Sequence, residues 1–314
     1  MIQTKTLFSA AFILIICSVF FVSCQKSKIE AVDLDDMYLV PDIDGRLAQY
    51  APTTVSCDRS MLTEEQSQVL DKLIQAAEYI DKIFWKQASF RGLELKNELE
   101  QKEDPKYDPY LEYLNINYGP YDRLDAHRPF IGTEEKPAGA AFYPLEMTKE
   151  EFNEYIESHP DKKSAFESPY TLIRRQNGGL EAVPYNEAYQ EELEPAARLL
   201  REAADITANP SLKKYLQLRA EDLLKNNYYK SDVAWIDLED NRVELVIGPY
   251  EVYEDGLMGL KAAYESFVYI NDFEEMEKIA GYIDFLPEMQ QNLPVEQKYK
   301  AQEVGGLASP LNVV

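Results

Sequence analysis

The 314 residues include two histidines, the usual metal and acid–base side chains: His127 in "DAHRPF" and His159 in "ESHPDK". Neither lies in HExxH, HxxEH or a Cys/His cluster with metal-ligand spacing. The sequence has no GxSxG, no P-loop and no GxGxxG. "GPYEVYEDGLMG" contains glycines, but strand-like residues flank them and no helix start follows to hold a phosphate. Cys57 in "TTVSCDRS" has only Arg59 as a basic neighbour, too little to make a thiolate nucleophile. Paired acids such as Glu94/Glu98, Glu191/Glu194 and Asp237/Glu239/Asp240 sit where helices and turns present solvated faces. These residues make no complete catalytic constellation.

A third kind of chemistry is lipid attachment. "MIQTKTLFSAAFILIICSVFFVSC" has Lys5 as its only charge, then an apolar run from Leu7 to Val22. That run is short for a membrane-spanning helix, which needs about 20 apolar residues, and it suits a secretory signal. Ser23 is small and Cys24 follows at once, a pattern similar to a bacterial lipoprotein signal. On that reading residues 1–23 are removed and Cys24 carries the lipid. Cys17 follows bulky Ile16 and fits less well. A plain signal peptide or an uncleaved anchor stays open. The expected location is outside the cytoplasm, periplasmic or on the cell surface, on a bacterial membrane. Cys57 is then the one cysteine left, which excludes an intramolecular disulfide.

Lys plus Arg number 32 against 56 Asp plus Glu, a net charge of −24. Such a surface repels phosphate, so nucleic acid is not an expected partner. The charge serves solubility, or a cleft that prefers cationic groups such as peptide amino termini. Twenty-two tyrosines and 13 phenylalanines mark a chain that folds.

The elements that must position any site follow from periodicity. Residues 24–60 read as a tether and lead-in, and 61–314 as the folded region. Thr63 to Gln66 is a capping box. Val69, Leu73, Ala76 or Ala77, Ile80 and Phe84 then follow at helical spacing, predicting a helix from about 63 to 87. Residues 91–140, dense in Tyr, Asp and Pro, read as mostly irregular. Thr148 to Glu151 starts a second helix that Pro160 closes. "SPYTLIRRQNGGLEAVPY" is a hairpin signal around Asn177-Gly178-Gly179. Helices are predicted at about 186–207 and 211–226, broken by Asn209-Pro210. "DVAWIDL" and "RVELVIGPYEVY" read as strands. "GLKAAYESFVYI" suits either helix or strand. "DFEEMEKIAGYIDFLPEMQQNL" returns to helix, with a break at Pro287. The fold class is α+β, mostly helical, with a small mixed or antiparallel sheet or partial barrel at about 170–183, 232–271 and 309–314.

Two stretches carry a family resemblance. "NYGPYDR" with "KPAGAAFYPLEMTKEEF", and then "DVAWIDLEDNRVELVIGPYEVYEDGLMGLKAAYESFVYIND", resemble the dipeptidyl peptidase III family of zinc peptidases, most closely its bacterial lipoprotein members. Glu244, Gly248, Glu251, Tyr253, Asp255, Glu265, Phe267 and Val268 match the family's strand-turn-strand pattern. The resemblance implies paired strands over 243–271. It implies an enzyme whose zinc is held by a helical HExxGH or HExxH motif and a later glutamate, with the motif glutamate activating water. None of those ligands is present in the 314 residues. The expectation is therefore the amino-terminal, substrate-binding part of such a peptidase, inactive alone and binding no zinc itself. It implies that Glu244 holds the free amino terminus of a bound peptide, with Glu251 and Tyr253 as further contacts. The family carries a tyrosine where this chain has Val246. The alternative is a non-catalytic peptide- or glycan-binding surface lipoprotein.

Overall fold

A computed structural model describes residues 34–176, 178–283, 285–300 and 313–314. Cys24 and the signal segment lie outside the described residues. The helices, in chain order, are α1 (Ile43–Leu47), α2 (Glu64–Ala88), α3 (Gly92–Leu99), α4 (Asp108–Asn117), α5 (Lys149–Ser158), α6 (Lys163–Glu167), α7 (Tyr185–Ala188), α8 (Gln190–Ile206), α9 (Pro210–Lys225), α10 (Tyr229–Ile236), α11 (Phe273–Ile283) and α12 (Leu286–Gln291). The strands are β1 (Tyr121–Asp122), β2 (Arg128–Pro129), β3 (Thr171–Gln176), β4 (Gly179–Pro184), β5 (Val243–Glu251) and β6 (Ala263–Ile270).

The long α2 organises the rest. Thr63 accepts from the Gln66 backbone N–H while the Gln66 side chain accepts from the Thr63 N–H, so the capping box is fully formed. Val69, Leu73, Ala76, Ile80 and Ile83 are buried, steps of four and three residues that put one stripe on the core. That stripe packs against α8, whose Leu193, Ala196, Leu200 and Ala203 are buried, and against β6. α9 covers α8 from outside. A second, smaller core gathers Leu34, Ile43, Trp85, Leu95, Tyr113 and Phe130. The two cores meet at the end of α2, since Ile83 belongs to one and Trp85 to the other.

The helices at 64–88, 149–158, 190–206 and 210–225 fall where the periodicity predicts them. The β3–β4 hairpin and the β5–β6 pair are both antiparallel. Three expectations are corrected. The described strands form three separate two-stranded sheets, not one sheet or partial barrel. Residues 91–140 hold α3 and α4, not a mostly irregular loop. "DVAWIDL" is largely helical, because α10 runs through Ile236. The Asp222 carboxylate accepts from the Ser231 N–H in the first turn of α10, and Asp232 pairs with Arg219. These tertiary contacts outweigh the strand preference of Val, Trp and Ile. Of the expected last strand, residues 313–314 are not in a strand and 309–312 lie outside the described residues.

Candidate functional site

The β5–β6 pair displays the residues that match the family pattern. Register alternates them between two faces. Val243, Leu245 and Ile247 enter the main core, as do Ile270 opposite Val243 and Tyr264 opposite Pro249. Glu244, Val246 and Gly248, opposite Tyr269, Phe267 and Glu265, share the other face.

Glu244 is only 5 % exposed, although a carboxylate on a strand's non-core face is normally solvated. Its Oε2 accepts from Asn271 Nδ2 at 3.0 Å. Asn271 is itself fixed: Nδ2 also donates to the Asn241 carbonyl at 2.7 Å, and its backbone N–H donates to the Arg242 carbonyl. An amide donor thus holds the carboxylate in one orientation. Tyr269 is directly across from it, and stacks on Phe267 with ring planes 2° apart.

Gly248 follows two pairs on. Its φ is +153°, and a Cβ there would lie 2.7 Å from Arg219 Nη1 and 3.1 Å from the Tyr250 ring. Arg219 on α9 is completely buried. Its guanidinium faces the Tyr215, Tyr228 and Tyr250 rings at 5.4–5.6 Å and donates to Asp232 at 2.5 Å. The cation–aromatic contacts and the ion pair reduce the cost of burying its charge, while Nε and Nη1 have no hydrogen-bond partner.

Beyond a bulge between Pro249 and Glu251 the chain turns back through residues 252–262. Asp255 organises this turn. Its carboxylate accepts from the backbone N–H groups of Leu257, Met258, Leu260 and Lys261 and from the Tyr143 hydroxyl at 2.7 Å. Burial, then the Asp255 charge, pushes the Tyr143 phenol far up, so it stays a donor. Lys261, also fully buried, donates to the Phe166 and Ser168 carbonyls and to Thr171 Oγ1 at 2.5–2.9 Å. Burial pulls its ammonium down to about 7.

A cleft of ≈ 350 Å³ opens beside the turn, between α2 and β6, lined among others by Phe84, Arg123, Glu251, Tyr253, Glu265 and Phe267. Burial, then the neighbouring Glu251, raises the Glu265 carboxyl. Burial, then Glu265, raises the Tyr253 phenol. Behind this cleft Glu254, 4 % exposed, accepts from Arg123 at 2.5 Å and Lys136 at 2.9 Å. Burial acts to raise the Glu254 carboxyl, but Lys136 and Arg123 outweigh it and hold it low.

A family model and two solved structures point to one kinship. The model of peptidase family M49 matches residues 130–305. The chain belongs to peptidase family M49. It superimposes on dipeptidyl peptidase III from Caldithrix abyssi with a TM-score of 0.80 and 47% identity, over 83% of this chain and 50% of that one. The enzyme from Corallococcus sp. strain EGB gives 0.76 and 39%, over 84% and 49%. Nudix hydrolase 3 of Arabidopsis thaliana is 30% identical over 324 residues, covering 87% of this chain and 42% of that protein. This M49 chain spans about half the length of the relatives it matches.

The structure brings Glu251 and Tyr253 together in one cleft, with Tyr253 66 % exposed, and sets Glu244 apart under Asn271 and Tyr269. Sequence reasoning did not single out Asn271, Arg123, Glu254 or Arg219. Only Arg219 leaves a local signal: it falls inside the stripe Leu212, Tyr215, Leu216, Ala220, Leu223, where a cation must be buried. Among the described residues no group of three or more His, Cys, Asp or Glu is placed to hold a metal ion. His159 stacks on Tyr155 at the end of α5, while His127 lies in the turn before β2.

Proposed function

We propose that this chain supplies the peptide-holding wall of an M49 peptidase, with Glu244 receiving the ammonium of the peptide's free amino terminus. The observation that carries this is the Glu244 carboxylate: nearly buried, oriented by Asn271, on a strand face it shares with Val246, Phe267 and Tyr269. A charged acceptor in a partly dry wall makes a strong bond with an ammonium. The stacked Phe267 and Tyr269 offer an apolar bed for the first side chains. Glu265 and Glu251 carry the negative field onward to Tyr253, which favours cationic peptides.

The proposed role is binding. In the family resemblance, peptide hydrolysis depends on zinc ligands that this sequence lacks, so the purified 314-residue chain is proposed to bind peptides and leave them whole. A non-catalytic capture lipoprotein shares that behaviour. Export and attachment through a lipid on Cys24 complete the proposal, and a mass shift on a Cys24-containing peptide from membranes checks it.

Calorimetric titration tests the central claim. A tripeptide with a free amine should bind about 10-fold more tightly than its N-acetylated form. Glu244→Gln should erase that difference. Equal affinity of both peptides for the unmodified chain would remove the basis for this role. Recovery of a shortened peptide would overturn the claim that this chain binds without cutting.

A further inference from the structure

A second cleft, of ≈ 600 Å³, lies on the smaller core, between the 36–38 segment, the α2–α3 corner and residues 131–134. Its volume is in the range of small-ligand sites, and such sites pair apolar walls with a few convergent polar groups. Met37, Phe90, Leu95, Tyr121 and Leu145 furnish apolar wall. Phe90 and Leu145 are left exposed at it, although large apolar side chains with a core nearby are normally covered.

Arg91 is the polar group. Its Nε is buried and has no hydrogen-bond partner. Among the described residues its guanidinium makes no hydrogen bond and no ion pair with any carboxylate, although Glu94 follows one turn along α3 and Asp36 and Glu134 line the same cleft. A partly buried guanidinium costs free energy until something accepts its protons, and a carboxylate matches its fork. Thr133 and Glu134, in the same wall, offer acceptors for the N–H groups of a peptide backbone.

We propose that this cleft binds the carboxyl-terminal residue of a peptide whose last side chain is apolar, with Arg91 on the terminal carboxylate and the side chain against Phe90, Leu95 and Leu145. It involves neither β5 nor β6, so it is independent of the proposed amine site. The probes are N-acetyl-leucyl-phenylalanine, its carboxyl amide, and octanoate, titrated calorimetrically into the purified chain. All three lack a free amine, so none of them reports on Glu244. The acid should bind with one-to-one stoichiometry, and the amide and octanoate about 10-fold or more weakly. Arg91→Gln should bring acid and amide to equal affinity. Leu145→Asp changes only an exposed side chain, so it guards against a fold defect at Arg91, and it should weaken the acid by like-charge repulsion. Equal binding of acid and amide to the unmodified chain, no saturable heat from the acid, octanoate binding as tightly as the dipeptide, or acid binding unmoved by both substitutions each overturns the proposal.

Discussion

Replacing Gly248 with Ala tests whether the β5–β6 pair is held where it is by Arg219. Two costs add. At φ +153° an L side chain is strained, roughly 1–2 kcal/mol. The new methyl would also sit 2.7 Å from Arg219 Nη1 and 3.1 Å from the Tyr250 ring. Arg219 cannot swing into solvent, because three tyrosine rings and Asp232 enclose it. Overpacking of this kind costs roughly 1–3 kcal/mol, so Gly248→Ala should destabilise by about 3 kcal/mol in all. For a fold of this size that is about 6 °C in melting temperature. The assay is urea denaturation of Gly248→Ala, Arg219→Met and the double variant. The steric part should vanish once the guanidinium is gone, leaving the backbone part. A coupling of about 1 kcal/mol or more is therefore expected, since contacting residues do not add. A cost for Gly248→Ala below about 0.5 kcal/mol, or one unchanged in the Arg219→Met background, would refute the reasoning.

Lys261 gives a pH dependence with a defined sign. Its folded value of about 7 lies below the ordinary lysine value. Between those limits the unfolded chain binds the extra proton, so rising pH favours the fold. Compared with Lys261→Met, the wild type should gain stability from pH 7 upward, by at most about 1.4 kcal/mol per pH unit, read from denaturation midpoints at pH 7 and 9; a flat difference contradicts it. Glu254 has the same sign in a lower pH window. Its carboxyl is held low, so the pair it makes with Arg123 and Lys136 is present at neutral pH and is lost as pH falls through that lowered value. Glu254→Gln should cost about 3 kcal/mol at pH 7, and the two proteins should converge in stability in acid. A gap that persists at low pH contradicts that account.

Much of this architecture was legible in the sequence where one physical signal dominated. The Thr63 capping box and the stripe from Val69 to Ile80 locate α2, and Asn177-Gly178 locates the β3–β4 hairpin. α4 escaped because its signals look like those of a loop. Pro109 sits in its first turn, where a missing N–H does no harm. Its buried side is built from Tyr110, Tyr113, Leu114 and Asn117, helical spacing written in tyrosines. α10 escaped because Asp222 and Arg219, from another helix, define it. The site divides in the same way. Glu244, Glu251 and Tyr253 stand out through the family pattern. The groups around them come from distant segments: Asn271 lies 27 residues from Glu244, and Arg123 lies 131 from Glu254. No local pattern announces such meetings.

The sharing of α2 between two cores bears on how the molecule comes apart. Its residues from Val69 to Ile83 are sealed in the larger cluster, while Trp85 alone reaches the smaller one. Loss of the smaller cluster leaves the rod clamped against α8 and β6, its last turn included, because Lys86 pairs with Glu192 and Gln87 Oε1 accepts from the Tyr264 N–H. Amide protons of α3 and α4 should exchange through this partial opening, and those of α2 only when the whole molecule unfolds. The two clusters thereby record two opening events, and the hairpin bearing Glu244 belongs to the later one.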